Sequence, residues 1–222
     1  KYWSKFDAEV QTEIQTLSLD LNELLFTPDY TNPIKTLDLP LAGKGYSSQT
    51  LTLILDLVNL CNGVKNEQSL DDDIIGQKTI DFLKATRNIL RRISGTHPSS
   101  LGLHPAIYFY SSSGRYQITS LLAVIEMVKH IEMKNGLNSF TKIRSKFENF
   151  LINNKIFVNQ ITRKWGSGLK GYKPLEEMML IVIKFLEQDK TDDQIYNILR
   201  KGKFNFLNRE EKPDETDGAE FS

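Results

Sequence analysis

Apolar residues recur at steps of three and four from the start of the chain, at Phe6, Val10, Ile14, Leu17, Leu21, Leu24 and Leu25. That spacing predicts one amphipathic helix of about six turns. Pro28 ends it, because the ring cannot continue the backbone ladder and disfavours helix in the residue before it. Residues 28–46 read as an extended connector. The run Leu37, Leu39, Leu41 alternates, but Pro33 ahead of it and Pro40 within it make it a poor central strand. Residues 48–62 are apolar nearly all round, with Leu51, Leu53, Ile54, Leu55, Leu57, Val58 and Leu60, so this helix is expected at the buried centre of its domain. Asn62-Gly63 supplies its stop.

A polar loop leads to "DDDIIGQKTIDFLKATRNILRRISG", whose acids stand in front and whose Arg91 and Arg92 stand behind, as the helix macrodipole favours. The loop "SGTHPSSLGLHPA" comes next, then "IYFY" (107–110), whose β-favouring side chains predict an extended segment or small strand. From Tyr116 a helix carries Leu121, Val124, Ile125, Val128 and Ile131, closed by Asn135-Gly136. Asn138 and Ser139 are candidate caps for the next helix, whose inner face is Phe140, Ile143, Phe147, Phe150 and Leu151. Lys142, Arg144 and Lys146 fall on its solvent side. "KIFVNQITRKWGSG" continues in a helix or turn to Trp165, and residues 174–188 give a helix through Leu175, Met178, Met179, Val182, Ile183 and Leu186. "TDDQ" is a capping box that opens a short last helix through Ile195, Ile198 and Leu199. The expectation is an all-α bundle of seven or eight helices, with at most one short extended segment near 107–110. It forms a single domain over 1–208, followed by an acidic, disordered tail over 209–222.

Composition narrows the function classes. Lys+Arg and Asp+Glu are both 28 in 222 residues, so no global field draws in nucleic acid, and any such role rests on a local patch. The single cysteine, Cys61, allows neither an intrachain disulfide nor a cysteine zinc cluster, and reads as a buried small hydrophobe. No apolar run reaches membrane-spanning length, and the opening "KYWSKFDAEV" has no signal-peptide core. A reducing, cytoplasmic setting and no membrane partner are expected, and the opening without methionine suggests a piece of a longer protein.

One device occurs three times. "GKGYSSQTLTLILDLV", "SGRYQITSLLAVIEMV" and "LKGYKPLEEMMLIVIK" each run from glycine and a cation through tyrosine into an apolar helix. The tyrosines are Tyr46, Tyr116 and Tyr172, and the cations Lys44, Arg115 and Lys170, with Lys173 adjacent. Glycine can serve only to turn the backbone, with the tyrosine as packing. If the loops converge, three helix N-termini beside cations suit phosphates or carboxylates. The first loop fails as a P-loop, since Asp38 stands where Gly-x4-Gly-Lys needs glycine and Lys44 is followed by Gly45. No Gly-x-Gly-x-x-Gly lies in a βαβ context, and no cofactor is expected.

His97 and His104, each before proline, read as turn residues bonded to backbone rather than metal ligands. His130 is expected to be partly exposed. "RKWGSGLKGYK" is the densest mixture of cations, glycine and aromatics, which suits a nucleic-acid backbone. Arg163, Lys164, Trp165, Lys170, Tyr172 and Lys173 therefore join Lys44, Tyr46, Arg115 and Tyr116 as candidate nucleic-acid or anion contacts. Arg87, Arg91, Arg92, Lys142, Arg144 and Lys146 would widen that patch.

"PIKTLDLPLAGKGYSSQTL", "THPSSLGLHPAIYFYSSSGRYQITSLLAVIEMV" and "KIFVNQITRKWGSGLKGY" resemble, over residues 1–207, the helical region that follows the ParB-like domain in prokaryotic restriction-associated proteins. The ParB-like Asp-Gly-Gln-x-Arg motif is absent, so no catalytic residue carries over. The resemblance implies a non-catalytic accessory domain of a DNA-handling or defence protein, in contact with DNA or with an adjacent domain of its parent chain. Two other readings stay open. One is a protein-interaction or oligomerisation module using the first helix, and the other a phosphate-ligand enzyme using residues 43–48.

Overall fold

A computed structural model describes residues 5–27, 39–43, 50–65 and 72–211. Among these the chain forms nine α-helices: α1 (Ala8–Phe26), α2 (Thr50–Cys61), α3 (Gln77–Ile93), α4 (Pro105–Tyr108), α5 (Ile118–Met133), α6 (Leu137–Asn153), α7 (Ile156–Trp165), α8 (Tyr172–Leu186) and α9 (Asp192–Lys201). A 3-10 turn, Gly168–Lys170, joins α7 to α8. The expected all-α bundle is what forms. Pro28, and the rest of the connector up to Asp38, lie outside the described residues.

The centre is α5, not α2. Ten of its side chains are buried, Leu121 through Ile125 in unbroken succession. It packs along α8 and meets α2, α3, α4, α6 and α7 as well. On α2 only the stripe Leu53, Leu57, Leu60 and Cys61 is buried, while Leu51 is 67% and Leu55 52% exposed. Helix α2 packs chiefly on α3 and α5, so one side is covered although the sequence is apolar on every side. Burial pushes the Cys61 thiol up to about 12, as a small core residue requires. Outward from the centre, α3 carries α1, whose Ile14 and Leu17 form a satellite core with Ile80.

The helix ends show where local chemistry sets the boundaries. Thr191 and Gln194 close the expected capping box on α9. Asp73 reaches forward to accept from the backbone N–H of Gly76 and Thr79 and from the Thr79 hydroxyl, which holds its carboxyl below the usual range against the cost of burial. Helix α6 begins at Leu137 behind Gly136, with no side-chain cap, so Asn138 and Ser139 sit inside its first turn. "IYFY" departs from the extended expectation. Pro105 is a favoured first helical residue, and His104 Nδ1 accepts from the Ala106 N–H, so Pro105–Tyr108 coil into α4. Only Tyr110 stays extended, as one side of an isolated bridge to Tyr116. His97 likewise accepts from the Ser99 N–H, the turn role expected of both His-Pro pairs.

The boundary expected at 208 is crossed. Arg209 donates to Asn154 Oδ1 (2.7 Å), Asp193 Oδ1 (2.6 Å) and the Asp192 carbonyl (3.0 Å), and its guanidinium stands 4.3 Å from the Tyr196 ring centre. Arg209 to Glu211 are thus part of the described fold, and residues 212–222 lie outside it. Arg144 also departs from its expected solvent position: it folds back on Glu148 (2.7 Å) and on the carbonyls of Leu101 and Gly102.

Lys155 pins α4 to the start of α7. Its Nζ donates to the carbonyls of Ala106, Ile107 (3.3 Å) and Tyr110 (2.6 Å), with no carboxylate among these partners. Burial lowers its pKa from 10.5 to about 8. The unfolded chain then holds the extra proton across that interval, so this group's contribution to stability rises with pH from about 8 to 10.5. Lys155→Met is expected to remove that dependence. In urea unfolding, the stability difference between wild type and Lys155→Met shifts toward wild type between pH about 7 and pH about 10; a constant difference refutes the assignment.

Candidate functional site at the head of the central helix

Two of the three glycine–tyrosine loops and the glycine that opens the third converge on the first turn of α5. Gly43 (φ +72°) lies flat against the Tyr116 ring: a Cβ there would fall 2.9 Å from Cδ1. The Gly168 N–H donates to Thr119 Oγ1 at 2.8 Å. Gly171 approaches the Gly166 carbonyl so closely that a Cβ would overlap it, with Thr119 Cγ2 on the other side. Ser111 and Arg115 close the middle loop through the Ser111 N–H to the Arg115 carbonyl (2.8 Å). Lys44 and Tyr46 lie outside the described residues, as does the rest of the loop proposed for a phosphate-ligand enzyme beyond Gly43.

Gly166, Gly168 and Gly171 stand at Gly-x-Gly-x-x-Gly spacing, but they join helix to helix, so the strand that a dinucleotide fingerprint needs is missing. Their work is conformational. Gly166 (φ +96°) and Gly168 (φ +60°) occupy backbone that other residues rarely adopt, and Gly171 permits the close approach.

The tyrosines lean inward. Tyr116 packs edge-on to Tyr110 with ring centres 5.9 Å apart, and burial raises its hydroxyl pKa. Its hydroxyl and that of Ser120 have no hydrogen-bond partner among the described residues. Tyr172 is half-buried against the core.

The cations divide into two groups. Lys173 donates to Glu126 (2.8 Å) and Glu176 (3.2 Å). Burial opposes its charge, yet these bonds outweigh burial and raise its pKa, while Lys129 and Lys173 together lower that of Glu126. Glu176 also lies 3.9 Å from His130, whose side chain is partly exposed as expected. The wider patch is internally paired too: Arg87 and Arg91 on Asp20, Arg92 on Glu132, Arg144 on Glu148, and Lys146 on Asp189.

A second group gathers at the end of α7. Lys164 stands 5.2 Å from the Trp165 ring and 4.2 Å from Phe206, and Lys203 stands 5.6 Å from Trp165 while pairing with Glu177. The stem of Lys170 lies over Gly166, and Arg163 meets Glu211. Lys164 and Lys170 are exposed, as is Leu169 at the tip of the turn. Phe204 and Phe206 both pack edge-on against Trp165, so the indole is a mount for cations and not an open stacking surface. Lys203 and Phe206 are additions that sequence reasoning missed, although "KGKFNF" pairs cations with aromatics. The negative end of the α7 dipole favours this gathering of positive charge.

Comparison of the chain with protein-family models, with curated proteins and with solved structures finds no match.

The turn is predicted to be intolerant of a single methyl group. Gly171→Ala should cost at least about 2 kcal/mol of unfolding free energy, because backbone must move. Gly63→Ala, where φ is +68° but space is open, should cost only about 1 kcal/mol. Equal losses in thermal and urea unfolding would refute the close-approach argument.

Proposed function

We propose that this chain is a non-catalytic helical accessory domain of a prokaryotic DNA-handling or defence-associated protein, and that it contacts nucleic-acid phosphates through the end of α7. The observation that carries this reading is the gathering of cations at the end of α7, with Lys164 and Lys203 on the Trp165 ring, the Lys170 stem over Gly166, and Arg163 one turn back on Glu211. The Gly168–Thr119 bond brings that turn to the helix just past Arg115. Its resemblance to the region after ParB-like domains points the same way. With the indole faces engaged, the contacts go to the backbone, so binding is salt-dependent and insensitive to base sequence. Tyr116 serves the site by packing, and Lys173 belongs to the paired group beside it.

A second reading, protein association, draws on exposed Leu51 and Leu55 of α2. The first helix is a poor partner surface for it, since Ile14, Leu17, Leu21 and Leu25 are buried within this chain. A Leu51→Lys, Leu55→Lys variant whose mass by light scattering equals that of the wild type would dispose of it.

Fluorescence anisotropy with a labelled duplex tests the first reading. The double variant Lys164→Glu, Lys170→Glu is expected to lose about tenfold in affinity or more at low salt. Lys146→Glu, on α6 where the lysine pairs with Asp189, should leave affinity within about twofold. Absence of binding at low salt, or equal loss in both variants, sinks it.

A further inference from the structure

A groove between α8 and the facing ends of α5 and α6 has no part in the phosphate reading. Lys173, Glu176, Leu180, Ile183 and Glu187 step by three and four, so one stripe of α8 forms its wall. Ile131 and Phe140 close the other side, and the space between is about 710 Å³. From Glu176 to Lys184 the α8 wall runs about 12 Å. The middle of the groove is apolar, and its one buried charge is Glu176.

Glu176 is 8% exposed, and its two oxygens are used differently. Oε2 accepts from Lys173 at 3.2 Å. Oε1 faces His130 Nδ1 at 3.9 Å, too far for a hydrogen bond, and among the described residues no donor bonds it. An oxygen about 2.8 Å from each of these two atoms would hold them at an angle of about 90°. The gap is therefore the size of one bridging oxygen.

Charge decides what carries that oxygen. Glu126 and Glu176 are bonded to Lys129 and Lys173, two acids with two ammoniums. A carboxylate head would oppose Glu176, and an ammonium head would set a third cation beside Lys173. The head must nevertheless donate, because a carboxylate oxygen only accepts. A hydroxyl meets all these conditions.

We propose that this groove binds a small alcohol with an apolar body. Its O–H donates to Glu176 Oε1, its oxygen accepts from His130 Nδ1–H, and its body lies along Ile131, Phe140, Leu180 and Ile183. Such a hydroxyl keeps the bonds that solvent would make there, while the body removes groove surface from water.

The test titrates the full chain with 1-hexanol, methyl pentyl ether, hexanoate and hexylamine, and reads the methyl resonances of Ile131, Leu180 and Ile183. Hexanol should shift them saturably. The ether, an isomer without a donor, and the two charged probes should bind at least about fivefold more weakly. No saturable shift with hexanol overturns the site, and equal affinity for any other probe overturns hydroxyl recognition. His130→Ala, at a side chain 39% exposed, should weaken hexanol about threefold and leave the ether unchanged. Hexanol affinity untouched by that change overturns the bridge. Leu180→Trp fills the groove and should abolish the shifts at Ile131 and Ile183; a response that persists overturns the placement. The probe series on the wild type stands whether or not either variant folds.

Discussion

Leu121, Leu122, Ala123, Val124 and Ile125 are consecutive and fully buried, which leaves the middle of α5 with no side turned to water. Successive helical residues point about 100° apart, so five in a row sweep the whole circumference. Such a helix exists only if neighbours enclose it, and α8, α3, α2, α4, α6 and α7 do so. The enclosure extends to its first turn, where Thr119 and Ser120 are buried hydroxyl residues and the Gly168 N–H satisfies Thr119. The connections that reach this turn have to come in close, and glycine is what lets them. Gly43 on the Tyr116 ring and Gly171 against Gly166 are consequences of burying α5, before any question of ligand arises.

Charge is arranged around the same constraint. Where cations lie over or near the enclosed helix they are bonded within the chain: Lys129 to Glu126 and the Leu60 carbonyl, Lys173 to Glu126 and Glu176, Lys155 to three carbonyls. A buried ammonium without such partners would be strongly disfavoured. At the end of α7, where the chain leaves the core, Lys164 instead rests on the Trp165 and Phe206 rings and faces outward. In a chain with no net charge, the positive charge exposed at this edge comes from Lys164 and Lys170, since Arg163 and Lys203 beside them have Glu211 and Glu177 as partners.

Much of the helical layout was legible. Steps of three and four located α1, α5, α6, α8 and α9, the charge layout pointed to α3, and the Thr191–Gln194 box placed the start of α9. Periodicity did not reveal which helix is central, because the pattern of α2 states how apolar it is and not how many neighbours it has. Helix α5 carries Glu126, Lys129 and His130, so it looked amphipathic, yet those groups lie toward one end of an otherwise enclosed rod. Tertiary partners were likewise hidden. Lys173 finds Glu126 47 positions away, and Arg144 finds the Gly102 carbonyl 42 away. The site was half visible: the cations and glycines at 163–171 stood out by composition, whereas Lys203 and Phe206, in the cation–aromatic run 201–206, are tied to Trp165 only by the fold. Of the first glycine–tyrosine loop, Gly43 is the part that lies among the described residues, and it does reach the head of α5.

The packing of Gly171 on Gly166 also fixes a length. Since backbone touches backbone across that turn, one residue more or fewer between Trp165 and Tyr172 would pull Gly168 off Thr119 or drive α8 out of register with α5. Side chains at Ser167 and Leu169 face outward enough to be exchanged freely, but the count of residues cannot drift. Spacing in this turn is therefore set by backbone contact rather than by which side chains the turn carries.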